Sequence, residues 1–438
     1  MLCSTKTLKR SSLTLSALLT ALSFGHPVSP VDLSNYVLNV EQLNTEQKLE
    51  QFTQTVSKTV DSKRDTIKLV DSSVTKNTIQ EKISRSNISI SSLVPFAAQP
   101  AYAADIDATA NAPARTINAD SDLFGSMVEG ANTPQSIARA ASLWESKEIR
   151  GIYMSRYGIT NNTDEQTIRD RVRYYKQQGI NTIIHGVWGN GCPMYDSKIM
   201  QETFNISRCD NEFQAQWLDW LLDEAHAQGM QVHAYFEKGI KLDENSPIFN
   251  IARESGWFVP GVDRTYPNID HYVLNVDNAE VSQFFEQILA EFVQKYPTVD
   301  AVQWDDYLGY HAGLSDREDR TSQLTSFVQR MRTGMKAVNP NVSFDICHHN
   351  PYWGARYFAA DWENWGADRT FIQAYNDANF NDELSYIESS GGVAISDNQL
   401  HRLNDIINNP NIESVLIFPT TGDPETAARR VSATISGQ

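Results

Sequence analysis

Residues 164–188 read DEQTIRDRVRYYKQQGINTIIHGVW. The first part predicts a helix over Asp164–Gln178 that is closed by Gly179, since glycine tolerates the left-handed conformation that ends helices. A β-branched run, Asn181–Trp188, follows at once and reads as a strand. The same alternation spreads in both directions from this unit. Strands are predicted at Gly151–Tyr157, Asn181–Trp188, Gln231–Glu237, Asp300–Asp306, Val342–Cys347, Thr370–Tyr375, Gly392–Ser396 and Ser414–Phe418. Helices are predicted at Asp164–Gln178, Glu212–Gln228, Asn278–Tyr296, Thr321–Val338, Ala355–Trp365, Asp382–Ser389, Leu400–Asn408 and Asp423–Ile435. Eight strand–helix units in about 290 residues match the count and size of a (β/α)8 TIM barrel. A doubly wound open sheet is the competing topology, but the first strand is not followed by a glycine-rich phosphate fingerprint.

The rest of the 438 residues reads differently. Residues 1–140 contain no Trp and balance 13 basic against 13 acidic side chains, so the whole formal charge of −17 falls on residues 141–438. Chain that poor in large apolar groups buries little surface, and a largely disordered or weakly helical N-terminal region is expected. Lys6, Lys9 and Arg10 before the apolar run Leu13–Phe24 read as an export signal over residues 1–30. Residues 31–140 read as a low-complexity or helical spacer and linker, with apolar residues from Leu49 to Val74 at three- and four-residue steps. Residues 141–438 are assigned to the barrel.

Composition also limits partners. An acidic chain lacks the clustered cations that phosphate backbones or anionic bilayers require, so nucleic acid is excluded as a partner. No apolar run of spanning length occurs beyond the N-terminus, so no membrane span is expected in the mature chain. Cys192 and Cys209 fall in one loop, and in an exported protein they can pair.

In a barrel of this kind the site lies at the C-terminal ends of the strands. Strand side chains alternate between faces. Putting Val232, Ala234 and Phe236 toward the helices leaves His233, Tyr235 and Glu237 facing inward. Putting Val302 and Trp304 outside leaves Gln303 and Asp305 inward, with Asp306 turned toward the loops. Gln373, Tyr375 and Asp377 share the inward side of the sixth strand. Neighbouring strands lie about 4.8 Å apart, so Glu237 and Asp305 meet at the mouth. Two close carboxylates resist joint ionisation, and a raised acid beside an ionised carboxylate is the working pair of a glycosidase. The expected catalytic set is Glu237 as acid, Asp305 as nucleophile or electrostatic stabiliser, and Asp306 as the alternative. Trp188, Tyr235, Gln303, Tyr307, Gln373, Tyr375 and Asp377 are the expected substrate-binding residues, with Tyr310 and Trp353 as further aromatic candidates. No cofactor and no metal are expected, because no typical metal-ligand spacing is present.

At these residues the chain resembles the bacterial glycosyl-hydrolase-like family ten, a barrel family formerly described as a domain of unknown function. The likeness rests on Arg150-Gly-Ile-Tyr153, Asn181-Thr-Ile183 with Val187-Trp188, and Ala234-Tyr-Phe-Glu-Lys-Gly239. It continues in Val302-Gln-Trp-Asp-Asp-Tyr307, Asp361-Trp-Glu-Asn-Trp365 and Ile372-Gln-Ala-Tyr375. Lys238, Cys347-His-His-Asn350 and Pro419-Thr-Thr-Gly422 depart from the family's pattern. The resemblance implies a secreted or cell-envelope glycosidase acting on a polysaccharide, with peptidoglycan glycan as a plausible substrate. It places Glu237, Asp305, Asp306, Gln373 and Tyr375 on the family's strand-end motifs. A non-catalytic glycan-binding barrel tethered at the envelope is the second reading. A metal-dependent hydrolase, requiring His348, His349 and an Asp to converge, is the third.

Overall fold

The structure, a computed structural model, describes residues 134–154, 164–210, 213–264, 269–316, 318–387, 391–420 and 422–437. The export signal over 1–30, most of the spacer and the end of the first predicted strand at Tyr157 lie outside the described residues. Eight parallel strands form the centre: β1 (Ile149–Met154), β2 (Thr182–Gly189), β3 (Gln231–Phe236) and β4 (Ala301–Trp304), then β5 (Ser343–His348), β6 (Arg369–Gln373), β7 (Gly391–Ser396) and β8 (Ile412–Phe418). Each pairs with the next, and β1 pairs with both β2 and β8, so the sheet closes into the expected barrel.

The alternation read from β3 holds in three dimensions. Val232, Ala234 and Phe236 belong to the large apolar layer between sheet and helices, whereas Tyr235 joins Tyr153, Ile184, Cys347, Phe371, Leu416 and Phe418 inside the barrel. Lower in the lumen, Asp345 is held by Arg369, whose Nε lies 3.1 Å from both carboxylate oxygens. Asp345 is therefore a paired core acid beneath the mouth.

The outer helices include α1 (Pro134–Glu145), α2 (Glu165–Gln177), α3 (Trp217–Ala227), α4 (Ala279–Lys295), α5 (Thr321–Val338) and α6 (Pro351–Phe358). Helix α1 begins inside the stretch read as linker, and its Trp144 Nε1 donates to the Gly179 carbonyl at 3.1 Å. Asp164 caps α2 by accepting from Thr167 N at 2.8 Å, and Gly179 takes φ +82° where that helix ends. Helix α6 starts four residues before the predicted Ala355, because Asn350 accepts from Trp353 N and Pro351 occupies the first turn.

Two insertions shape the top of the barrel. After β2, Cys192–Pro193 folds back antiparallel on Trp188–Gly189, and Cys192 forms a disulfide with Cys209 at a Cα separation of 5.3 Å. After β3, Lys241–Leu242 pairs antiparallel with Tyr272–Val273. Among the described residues no helix is long and apolar enough to cross a membrane.

Candidate active site

Strand β4 ends at Trp304, and the chain then turns through Asp305-Asp306-Tyr307. Asp305, the first residue beyond the strand, keeps the inward side. Its Oδ2 accepts a very short hydrogen bond from the Tyr235 hydroxyl, and its Oδ1 accepts from Tyr307 N at 3.0 Å. In the parallel register Tyr235 stands opposite Gln303, so the residues two further on, Glu237 and Asp305, extend the same row at the mouth. Burial, the charge of Asp306 and, less strongly, that of Glu237 push the Asp305 carboxyl well above the usual carboxylate range, against the two donors it accepts.

Asp306 does not turn away to the loops. Gln373 Nε2 donates to its Oδ1 at 3.1 Å and also to the Cys347 carbonyl at 3.2 Å. The physical reason is that strand parity stops at Trp304; beyond it the turn, not the pleat, sets direction. Burial opposes its ionisation, but His349, His348, Lys241 and Gln373 outweigh this and hold the carboxyl below the ordinary range. Two adjacent carboxyls, each under a tenth exposed, are thus driven in opposite directions.

Glu237 sits at the same mouth, 4 % exposed, and its charge acts on both Tyr235 and Asp305. It opens the turn Glu237-Lys238-Gly239. Gly239 takes φ +43°, and a Cβ there would stand 2.8 Å from the Tyr307 carbonyl oxygen, so this turn fits only glycine against the β4 loop. Lys238 pairs with Asp243, its Nζ 2.5 Å from Oδ2.

Several expected binding residues are placed otherwise. Trp188 is fully buried outside the barrel against Phe236 and Phe285, and its indole donates to the Gly239 carbonyl. The cause is an irregularity in β2: Gly186 pairs with Tyr235 but Trp188 with Phe236, so Val187 is an extra residue and Trp188 changes face. Asp377 is exposed and paired with His401 and Arg402, because β6 ends at Gln373 and alternation no longer applies. Gln303 points inward but is wholly enclosed below Asp305, so it supports the floor and does not meet substrate. Tyr235 and Gln373 do reach the site, but as holders of Asp305 and Asp306. Tyr307 and Tyr375 are half-buried at the mouth, Tyr375 6.0 Å from the Phe418 ring. Tyr310 is a packing residue whose hydroxyl donates to the Leu274 carbonyl, and Trp353 stacks on Tyr357 at 4.4 Å.

Sequence reasoning missed Tyr153, whose ring meets Tyr235 edge-on at 5.3 Å, and Phe418, 5.7 Å from Tyr153. Parity applied to the first and eighth strands would have found both. It also missed the wall formed by His311, His348 and His349 around Phe358, at ring separations of 5.4, 5.4 and 4.9 Å. Burial holds His348 neutral, its pKa lowered to about 3. Among the described residues no three His, Cys, Asp or Glu side chains converge as metal ligands.

The fold thus sets a buried carboxyl pair, Asp305 and Asp306, at the C-terminal mouth of a closed (β/α)8 barrel. Residues 148–321 match the model of the family Glycosyl hydrolase-like 10. The chain is similar to the glycosyl hydrolase DigH of Escherichia coli strain K12, with 27% identity over 253 residues, 49% of this chain and 56% of the relative. DigH of Shigella flexneri matches with the same figures. This chain thus spans about half the length of the curated relatives it matches. Among solved structures it is similar to an exo-β-N-acetylglucosaminidase from Vibrio harveyi, with a TM-score of 0.46, 8% identity and coverage of 65% of this chain and 54% of that one. A family-36 α-galactosidase from Geobacillus stearothermophilus gives a TM-score of 0.42 and 15% identity, covering 69% of this chain and 44% of that one.

Proposed function

We propose that the chain is an exported glycoside hydrolase that cleaves a polysaccharide, with peptidoglycan glycan as the first substrate to test. The buried carboxyls of Asp305 and Asp306, held by Tyr235 and Gln373 beside Glu237 and pushed in opposite directions by their surroundings, carry this reading. Glycosidic cleavage needs one carboxyl that holds its proton and another that does not, and the opposite shifts of Asp305 and Asp306 support that division. Asp305 gives its proton to the departing glycosidic oxygen as the bond to the anomeric carbon breaks. Asp306 faces the positive charge that develops there, and Glu237 adds a second negative flank. Water then supplies hydroxide to the anomeric carbon and returns a proton to Asp305. This differs from the roles read from the sequence, where Glu237 was the acid and Asp305 the nucleophile or electrostatic stabiliser, with Asp306 as its alternative. Export is supported by the N-terminal pattern Lys6, Lys9, Arg10 and Leu13–Phe24 and by the Cys192–Cys209 disulfide, since disulfides persist in oxidising compartments. The family match supports the substrate class.

Digestion of intact peptidoglycan, peptide-stripped glycan and other polysaccharides, with products resolved by mass, tests the activity. Asp305→Asn should lose least on aryl glycosides whose leaving group needs no proton, whereas Asp306→Asn should lose about equally on all substrates. If leaving-group dependence appears in Glu237→Gln instead, the roles revert to those read from sequence. Parental activity in all three variants removes the proposal.

A further inference from the structure

Lys238 follows Glu237 directly, and an ammonium there has the reach to neutralise the carboxylates of the mouth. The structure sends it elsewhere. Lys238 takes φ +64°, uncommon for a residue with a side chain, and its Nζ ends on Asp243 Oδ2. Asp243 is itself fixed from three sides. Asn190 Nδ2 donates to Asp243 Oδ1 at 2.9 Å, Asp243 N donates back to Asn190 Oδ1 at 2.9 Å, and Asn245 N donates to Oδ1 at 2.8 Å. Asn190 is also left-handed, at φ +52°, and lies two residues before the disulfide-bonded Cys192. Two non-glycine residues held in this conformation mark a segment whose surroundings over-determine it.

We infer that Asp243, locked to Asn190, is a positioning residue that draws Lys238 out of the mouth so that the Glu237–Asp305–Asp306 cluster keeps its negative character. The inference rests on the proposed role of that cluster. The groups acting on Asp305 are Asp306, Glu237 and Tyr235, with Tyr153 and Cys347 across the lumen. Those sharing a field with Lys238 are Asp243, His271, Lys241 and Asp263.

Asp243→Asn is the informative change. It keeps the Oδ1 bonds to Asn190 and Asn245 but sets an amide against the ammonium and releases it. The ionisation of Asp305 is read without any assumption of activity, as the pH dependence of the stability difference between full-length proteins carrying Asp305 and Asp305→Asn. In the Asp243→Asn background this curve should move to lower pH by about one unit, the effect of a cation brought within about 4–6 Å. Adding Lys238→Met should move it back. Lys238→Met alone should leave it in place, because the ammonium is already withdrawn. Where glycan is cleaved, the alkaline limb of kcat/KM should follow the same pattern. An unmoved curve in Asp243→Asn, or a shift caused by Lys238→Met alone, overturns the inference. A curve that moves in a protein that cleaves no glycan upholds the positioning and removes the proposed function instead.

Discussion

Lys241→Met should cost this protein more stability than any surface substitution and should change its pH response as well. The Lys241 and Asp263 side chains have no exposure to solvent, and Nζ lies 2.8 Å from Oδ2. The ammonium also stands 5.1 Å from the Tyr307 ring centre and 5.7 Å from that of Phe358. Methionine fills a similar volume, so packing changes little and the loss is electrostatic. Removing one member of a buried pair leaves the other charged, desolvated and alone, at a cost of about 3–5 kcal/mol. With about 2–4 °C of Tm lost per kcal/mol in a domain of this order of size, the midpoint should fall by about 6–20 °C. Replacing both, as Lys241→Met with Asp263→Leu, should recover most of the loss, because no charge then remains to be buried.

The second consequence is chemical. Lys241 is one of the groups that hold Asp306 ionised. Without it the Asp306 carboxyl titrates at higher pH. Activity that needs Asp306 ionised rises with pH through that value, so the acid limb of kcat/KM moves upward. Thermal unfolding and a pH–rate profile on the same preparation measure both effects. A single variant that unfolds within about 1 kcal/mol of the parent would refute the account of the pair, since that is the range of an exposed ion pair. An acid limb that stays in place would refute its link to Asp306.

Other outcomes follow from the same physics. The Asp305 carboxyl titrates higher in the fold than its unfolded value of about 3.9, so the stability it contributes is present at low pH and lost as pH rises through the folded value. Asp305→Asn should therefore match the parent near pH 3 and exceed it at pH 8; a variant that is weaker at every pH contradicts the raised pKa. Reducing the Cys192–Cys209 link frees a loop of 17 positions, for an expected loss of about 3 kcal/mol read as a lower urea midpoint. Removal of residues 1–133 should leave a cooperative thermal transition within a few degrees of the full chain, because β1 closes on β8 and α1 seals the barrel foot through Trp144; a molten product would contradict this.

How far the sequence could be read depended on whether the pleat still governed the residue in question. Val232 to Tyr235 lie within a regular strand, and their faces were legible from alternation alone. Trp188 was not, because one extra residue at Val187 inverts every later face and a bulge leaves no mark in composition. Asp306 and Asp377 lie beyond the last paired residues of their strands, where turn geometry decides direction. The disulfide was legible because Cys192 and Cys209 share one short loop. The Lys241–Asp263 pair was not, since it joins two points of an aperiodic insertion that only the folded ribbon brings together.

That insertion gives the site its character. It carries two lysines, Lys238 and Lys241, within a few residues of Glu237, and either could in principle quench the carboxylates. Each is instead given an aspartate of its own, Asp243 and Asp263, both drawn from the same insertion. The two lysines nonetheless differ in effect. Lys241 lies close enough to Asp306 to favour its ionised form, whereas Lys238 is turned outward to Asp243 and Asn190. Cationic influence from Lys241 therefore reaches Asp306. Lys241 and the Gln373 hydrogen bond both favour the ionised form of Asp306, whereas burial and the charge of Asp306 oppose ionisation of Asp305. A barrel mouth with neither lysine would leave Asp306 without a major support for its charge. The split depends on the insertion as much as on the strand that carries the pair.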